Sequence, residues 1–321
     1  MRPLFYLVGI GLCGIIFIMN MRSLILSVWV CCTAVNAARA DVLQDAQDAL
    51  DVARVACSGV SDDISRVSGL AVAGVATNAA GAIVGGTAVG VGAAKAANDK
   101  ERLSQKVNIS CDFQTVYGLG PDAHLGLITA MSDIYTEQSK KLGNWRTGLM
   151  VGAGMTHIAS AVLAGINMNQ SELVQHVTAC NAALDHLVAV RKQLADAGIN
   201  PFSNPIRGRV ENVVNLCEKI NVADVQKIER KEKVVVGSSA AGAAVAIAGV
   251  VTSASANSDK MRSAADVDGM QKFNKLNAAS NALAGVSAAG SLVSTVAGAG
   301  VVKLARQMMR DATRCAEALN Q

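Results

Sequence analysis

Four long runs without formal charge dominate the pattern of polar and apolar positions. They cover residues 67–94, 147–171, 234–258 and 276–302 and consist mostly of Ala, Gly, Ser, Thr and Val. Each run exceeds the roughly 20 residues that a helix needs to cross a bilayer. Because large aliphatic side chains are a minority in every run, the pattern predicts an all-α fold of long helices that approach one another closely.

Small residues recur at helical spacing within these runs. In the first run they follow one another at steps of 4, 3, 4, 3 and 4, at Gly74, Asn78, Gly81, Gly85, Ala88 and Gly92. Small residues also recur at steps of three or four in the third run, at Ser238, Gly242, Ala246, Gly249, Ser253 and Ala256. The second run contains Gly148 and Gly152. Such residues share one side of a helix, where a neighbouring backbone can approach. We therefore predict helix packing through Gly74, Gly81, Gly85, Gly92, Gly148, Gly152, Gly242 and Gly249.

Internal similarity indicates two copies of one helical hairpin. The segment 180–184 (CNAAL) is echoed by 315–319 (CAEAL), and each follows a charge-free run. We interpret residues 41–199 and 206–321 as duplicated antiparallel hairpins. The segment 200–205 contains two prolines and is predicted to be a linker that stops the preceding helix. Chance similarity in an Ala-rich chain is the alternative.

Cysteine positions predict two disulfides. In each repeat one cysteine precedes the first run and another follows the second at a comparable offset. In an antiparallel helical pair, two residues that lie equally far from the ends of the two runs stand side by side. We therefore predict the bridges Cys57–Cys180 and Cys217–Cys315. Cys111 is left over, without a predicted partner or role.

The N-terminus predicts export. Residues 1–40 contain two basic-then-apolar blocks, and the small-x-small sequence at 38–40 is typical of a signal-peptide cleavage site. We predict a cleaved signal peptide with Met21 as the initiator; an uncleaved N-terminal anchor is the alternative. Loss of three arginines with residues 1–40 lowers the formal charge from +4 to about +1. Basic residues are scattered among acidic ones, which argues against a nucleic-acid partner.

Two locations are compatible with these features. The absence of charge favours helices in a bacterial-type inner membrane, whereas the many glycines and few large aliphatics fit a soluble bundle in the periplasm or outside the cell. Basic residues that flank the first pair of runs favour the membrane through the positive-inside rule. They are Lys95, Lys100, Arg102, Lys106, Lys140, Lys141 and Arg146.

Catalytic and ligand-binding patterns are scarce in the sequence. His176 precedes Cys180 by one helical turn, but the second repeat has Asp311 in place of His176, which favours a structural cysteine. His157 lies inside an apolar run, either as a member of a pore or proton path or as a neutral histidine bonded to a backbone carbonyl. We predict no metal, no cofactor and no small-molecule substrate.

These observations favour a non-enzymatic structural or assembly protein of the cell envelope, membrane-embedded and able to form oligomers or a pore. Its expected partners are further copies of itself or other envelope proteins. A soluble exported adaptor that binds proteins through the ends of its bundle is the alternative, and an enzyme using His176 and Cys180 is a third reading. The more aromatic segment 108–142 is expected to bind a partner or to pack as an ordinary connection.

Overall fold

The computed structural model describes the backbone of residues 21–116, 121–168, 171–218, 220–258 and 267–321, and the side chains of 37–101, 136–168, 172–218, 220–258, 269 and 271–321. The helices within these ranges are α1 (Met21–Cys57), α2 (Val60–Val116), α3 (Pro121–Met168), α4 (Ser171–Asp196), α5 (Pro205–Cys217), α6 (Val222–Ala256) and α7 (Val267–Asn320). Four are long and form two hairpin-like pairs, and the described residues contain no strand. The predicted all-α fold of disulfide-closed hairpins is confirmed.

Two compact units make up the chain. Unit 1 consists of Met1–Ile64, Ser171–Asp224 and Gln307–Gln321, and unit 2 of Ser65–Gln170 and Val225–Arg306. Each unit therefore combines residues from both sequence halves. The duplication of 41–199 and 206–321 stays a prediction about the sequence.

Unit 1 has a core of aliphatic side chains. Helix α1 packs against α4 and α5, and α4 packs against α5. The buried side chains include Leu50, Ile64, Val177, Leu187, Leu194, Val210 and Val213. Both disulfides belong to this unit, because Cys57 is bonded to Cys180 and Cys217 to Cys315. All four of these cysteines are buried, so the bridges lie inside the core that they close.

Local sequence sets the connection between α4 and α5. Gly198 has a φ of 66°, a left-handed conformation that glycine adopts readily. Its amide donates to the carbonyl of Ala195, and the amide of Ile199 donates to that of Leu194, which is the Schellman arrangement at a helix end. Asn204 caps α5 by accepting from the amide of Arg207, with Pro205 in the first helical turn.

Unit 2 contains a bundle of four helical segments, one each from α2, α3, α6 and α7. Val84 lies near Gly152 and Asn167 contacts Val67, so α2 and α3 run antiparallel. Helices α6 and α7 are antiparallel as well, since Ser238 contacts Ser294 and Ser280 contacts Gly249. The charge-free runs thus form the centre of this unit.

Several expectations fall outside the described residues. Residues 1–20, which include the first apolar block of the leader, are among them, and α1 begins at Met21. The side chains of Cys111 and of most of the segment 108–142 also lie outside. Signal-peptide cleavage and the role of that segment stay predictions.

Candidate functional site

A buried cluster of charged and amide side chains lies at one end of the charge-free runs in unit 2. We call it the Arg146 cluster and define it as Lys95, Asp99, Arg146, Asn277 and Asn281. Lys95 Nζ donates to Asp99 Oδ2 at 2.8 Å and to Asn277 Oδ1 at 3.2 Å. The same Asn277 oxygen accepts from Arg146 Nη2 at 3.2 Å. One amide oxygen therefore joins the two cations.

Arg146 has a partner for each arm of its guanidinium. Besides Asn277, its Nη1 donates to Asn281 Oδ1 at 3.0 Å and its Nε to Ser253 Oγ at 3.1 Å. The side chain is fully buried. Since a planar guanidinium presents its donors in a fixed fork, these contacts fix α3 against α6 and α7. Lys95 provides the corresponding contact from α2 to α7.

His157 forms a second polar site near the middle of the second charge-free run, on α3. Its Nε2 lies 3.1 Å from the carbonyl oxygen of Ser287 and 3.1 Å from the hydroxyls of Ser287 and Ser291. The ring is fully buried. It rests against Gly242, where a Cβ would collide with the ring. A glycine on α6 therefore provides the space for the imidazole.

A cluster of hydroxyl and amide groups continues from the His157 site. We call it the serine cluster and define it as Asn78, Ser160, Ser238, Ser239 and Ser294. Ser239 Oγ lies 3.1 Å from Ser294 Oγ and 3.3 Å from both Ser160 Oγ and Asn78 Oδ1. Ser238 and Ser294 hydroxyls are 2.6 Å apart. The four helices of the bundle thus meet through neutral polar groups at this level.

The opposite end of the polar core contains a buried carboxyl group. Asn167 Nδ2 donates to Glu232 Oε1 at 2.6 Å and to the carbonyl of Val67 at 3.4 Å. Glu232 is 2% exposed. This pair connects α3 with α2 and α6, so ionisable groups occur at both ends of the charge-free runs.

An apolar layer separates the His157 site from the Arg146 cluster. We define this layer as Ala88, Met150 and Ala284, which are fully buried and packed against partly buried neighbours. Those neighbours are Val89, Leu149, Val250 and Leu283. The core of unit 2 is therefore polar along most of its length and apolar at this level.

The glycines predicted to mediate helix packing have different surroundings. A Cβ at Gly85 would lie 3.2 Å from the Cα of Ala288, and one at Gly81 would lie 2.6 Å from Thr156 Oγ1. At Gly92, Gly242 and Gly249 it would collide with Asn281, His157 and Met150, and at Gly152 it would lie 3.4 Å from Val84. At Gly74 and Gly148 it would meet no described atom within 4 Å. A Cβ would thus meet a neighbouring helix closely at five of these eight positions, and it would meet backbone atoms only at Gly85.

Polarity in unit 2 is the reverse of that in unit 1. Every buried polar or charged residue among the described residues lies in unit 2, between Ser68 and Ser294. The outward positions of unit 2 carry large hydrophobic side chains, including Ile83, Met155, Ile158, Val162, Ile166, Ile247, Val251, Leu292, Val293 and Val296. By length and composition, four helical stretches could cross a membrane. In the most apolar part of each stretch, at most 33% of the residues are buried.

The Arg146 cluster was not predicted from the sequence. Lys95 and Arg146 were expected to flank the charge-free runs, whereas the structure buries both in the core. A signal was present, because Lys95 and Asp99 continue the series that ends at Gly92 by steps of 3 and 4. Whether a charged residue is buried is therefore indicated by its place in the series of small residues, as well as by its distance from an apolar run.

His176 and Cys180 are engaged in different interactions. Cys180 is in a disulfide with Cys57, while His176 Nδ1 lies 2.7 Å from Asp63 Oδ2. A bridged cysteine has no thiolate to act as a nucleophile. Among the described residues no group of three or more His, Cys, Asp or Glu side chains is placed to hold a metal ion.

Unit 1 also has an open cleft of about 440 Å³ beside α4. Its wall combines the aliphatic side chains of Leu184 and Val188 with the carboxylates of Asp185 and Glu218.

Comparison of the chain with known protein families, with curated proteins and with solved structures found no match.

Proposed function

We propose that the protein is a non-enzymatic structural or assembly component of a cell envelope, with unit 2 embedded in a membrane and unit 1 on the exported side. Further copies of the chain or other envelope proteins are its partners. The observation that supports this most strongly is the reversed polarity of unit 2. Several of its buried polar side chains form hydrogen bonds to a neighbouring helix, while its large aliphatic side chains point outward.

An aqueous environment fits unit 2 poorly. The outer positions of its four charge-free runs carry only neutral residues, many of them large and apolar. Contiguous apolar surfaces of this kind on soluble proteins promote association. Lipid tails, by contrast, are favourable neighbours for Val, Ile, Leu and Met, and membrane bundles bury their polar residues inside.

Unit 1 fits an oxidising, aqueous compartment. Disulfides persist outside the cytosol, and both bridges belong to this unit. The aliphatic core of unit 1 resembles that of soluble domains. These features support its assignment to the exported side, together with the predicted signal peptide.

Membrane extraction tests this proposal. We expect the protein to stay in the pellet after alkaline carbonate treatment and to float with lipid in a density gradient. Release into the supernatant as a monodisperse protein would contradict the proposal and favour the soluble adaptor.

Matched substitutions test which surface faces lipid. Val162 is exposed on unit 2 and Val55 on unit 1. Val162→Arg should reduce membrane insertion, because an arginine in the middle of a spanning helix costs roughly 2.5–3.5 kcal/mol. Val55→Arg should leave the floating fraction unchanged. Equal behaviour of the two variants would argue against lipid around unit 2.

A further inference from the structure

His157 is an ionisable residue in the interior of a charge-free bundle. It is the only histidine in the four charge-free runs. Its Nε2 contacts Ser287 and Ser291, whereas its buried Nδ1 has no hydrogen-bond partner among the described residues. Ionisable groups within membrane helices are costly and commonly mark ion or proton pathways. An imidazole is suited to this role because it gains and loses a proton near neutral pH.

Helix α7 supplies a row of polar side chains that passes His157. We call it the α7 polar row and define it as Asn277, Ser280, Ser287, Ser291 and Ser294, all of which are buried. Successive members are three or four residues apart except between Ser280 and Ser287. Ala284 occupies that gap and belongs to the apolar layer with Ala88 and Met150. The row is thus interrupted at a single level.

Polar groups continue from this row toward both ends of the bundle. On one side Ser294 joins the serine cluster, with the pair of Asn167 and Glu232 beyond it. On the other side Asn277 contacts Lys95 and Arg146, and Lys95 pairs with Asp99. The charge-free runs around His157 contain no other titratable or charged residue. The nearest buried charged residues along the bundle are therefore those at its two ends, Lys95, Asp99 and Arg146 at one and Glu232 at the other.

We propose that the α7 polar row and His157 form a proton path through unit 2, with the apolar layer as its constriction. This inference rests on the proposed membrane location. A proton that arrives along the hydroxyl row binds Nε2 of His157, and Nε2 then passes a proton to the hydroxyl on its other side, since the hydroxyls of Ser287 and Ser291 both lie 3.1 Å from this atom. Rotation of the hydroxyls restores the starting state. The pH difference or voltage drives the transfer, and no other reactant is consumed.

Close helix packing by itself does not account for this arrangement. Small residues suffice for backbone approach, as Gly85 shows against Ala288. A histidine instead introduces a titratable group and needs the glycine at position 242 to fit. The placement of His157 between hydroxyls on α7 therefore favours a role in proton transfer.

Proton flux into liposomes tests this proposal. The full-length, disulfide-bonded protein is reconstituted into vesicles that contain a pH-sensitive dye, and a potassium gradient with valinomycin sets the voltage. We expect acidification faster than in protein-free vesicles. His157→Gln retains hydrogen bonding but does not titrate, so its flux should fall to the protein-free level. Wild-type flux at that level, or unchanged flux in His157→Gln, would overturn the proposal.

Two alanine substitutions on α7 test the path itself. Ala284→Ser extends the hydroxyl row across the apolar layer and should increase the flux. Ala282→Ser places the same hydroxyl at an exposed position of the helix and should leave the flux unchanged. An equal response of the two variants would overturn the assigned path.

Vesicle flotation separates this inference from the proposed function. Each preparation is floated before its flux is measured, and circular dichroism checks that the variants remain helical. Protein that floats without conducting refutes the proton path and leaves the membrane assignment intact. Protein that does not float refutes both.

Discussion

At the scale of single residues, the buried charges of unit 2 depend on partners from other helices. Lys95 is 1% exposed, pairs with Asp99 and contacts Asn277, which is 182 positions away in the chain. Its Nζ also lies 4.5 Å from the centre of the Phe273 ring. Removing one partner of a buried ion pair leaves the other charge uncompensated, whereas removing both avoids that cost.

The pair of Lys95 and Asp99 yields the first prediction. Lys95→Met should lower the free energy of unfolding by about 3–5 kcal/mol, because it leaves a buried carboxylate without its ion-pair partner. The double variant Lys95→Met/Asp99→Leu should recover most of this loss. Urea unfolding in detergent, followed by circular dichroism, measures both. Additive losses in the double variant would show that the ion pair is not coupled.

Sequence reasoning at this scale is limited by contacts between distant residues. The pattern singled out His157 but did not identify Ser287 and Ser291 as its neighbours, since these lie on α7, 130 and 134 positions away. Glu232 was also missed. It stands two positions before a charge-free run, where a charged residue is ordinarily expected to be solvated.

At the scale of helices, the spacing of buried positions explains much of the fold. On α7, from Phe273 to Cys315, buried positions follow one another at alternating steps of 4 and 3. This mean period of 3.5 is typical of supercoiled helices. The small residues of the first run showed the same alternation, and those of the third run follow at steps of 4, 4, 3, 4 and 3, so the sequence allowed the helices to be predicted. It did not reveal the separation into units 1 and 2, which combine residues far apart in the chain.

Two glycines on α6 provide a second prediction. A Cβ at Gly242 would collide with the ring of His157, whereas one at Gly237 would meet no described atom within 4 Å. Gly242→Ala should therefore destabilise the bundle by about 1–3 kcal/mol through overpacking. Gly237→Ala should leave stability unchanged or raise it by up to about 1 kcal/mol, because alanine favours helix.

Thermal unfolding of the two variants in the same detergent distinguishes these effects. The melting temperature should fall for Gly242→Ala and should not fall for Gly237→Ala. A similar decrease in both variants would indicate that the environment of α6 differs from the one described. Wild-type protein in the same detergent provides the reference.

At the scale of the whole molecule, covalent and noncovalent stabilisation are distributed unequally. Unit 1 contains both disulfides and an aliphatic core, while unit 2 is built around small and polar side chains. The cysteine pairs were predictable because the two cysteines of each pair lie about equally far from their charge-free runs, and antiparallel helices place such residues side by side. The polarity of the two cores was not, since it depends on which face of each helix turns inward.

The disulfides provide a third prediction. Replacing Cys57 and Cys180 together by serine should lower the free energy of unfolding by about 2–5 kcal/mol, because the unfolded chain loses a long covalent loop. Cys111→Ser leaves both bridges intact and is the matched control. Chemical unfolding without reductant measures the effect, and non-reducing peptide mapping identifies the bridges. A peptide that joins Cys180 to Cys217 would contradict the structure.

Chain order gives the first bridge a consequence for biosynthesis. Cys57 and Cys180 are 123 positions apart, and α2 and α3 lie between them. During translation Cys57 therefore emerges from the ribosome long before its partner, and this bridge cannot form until α4 has been synthesised. Production in a reducing compartment is therefore expected to give chains in which Cys57 and Cys180 are not joined.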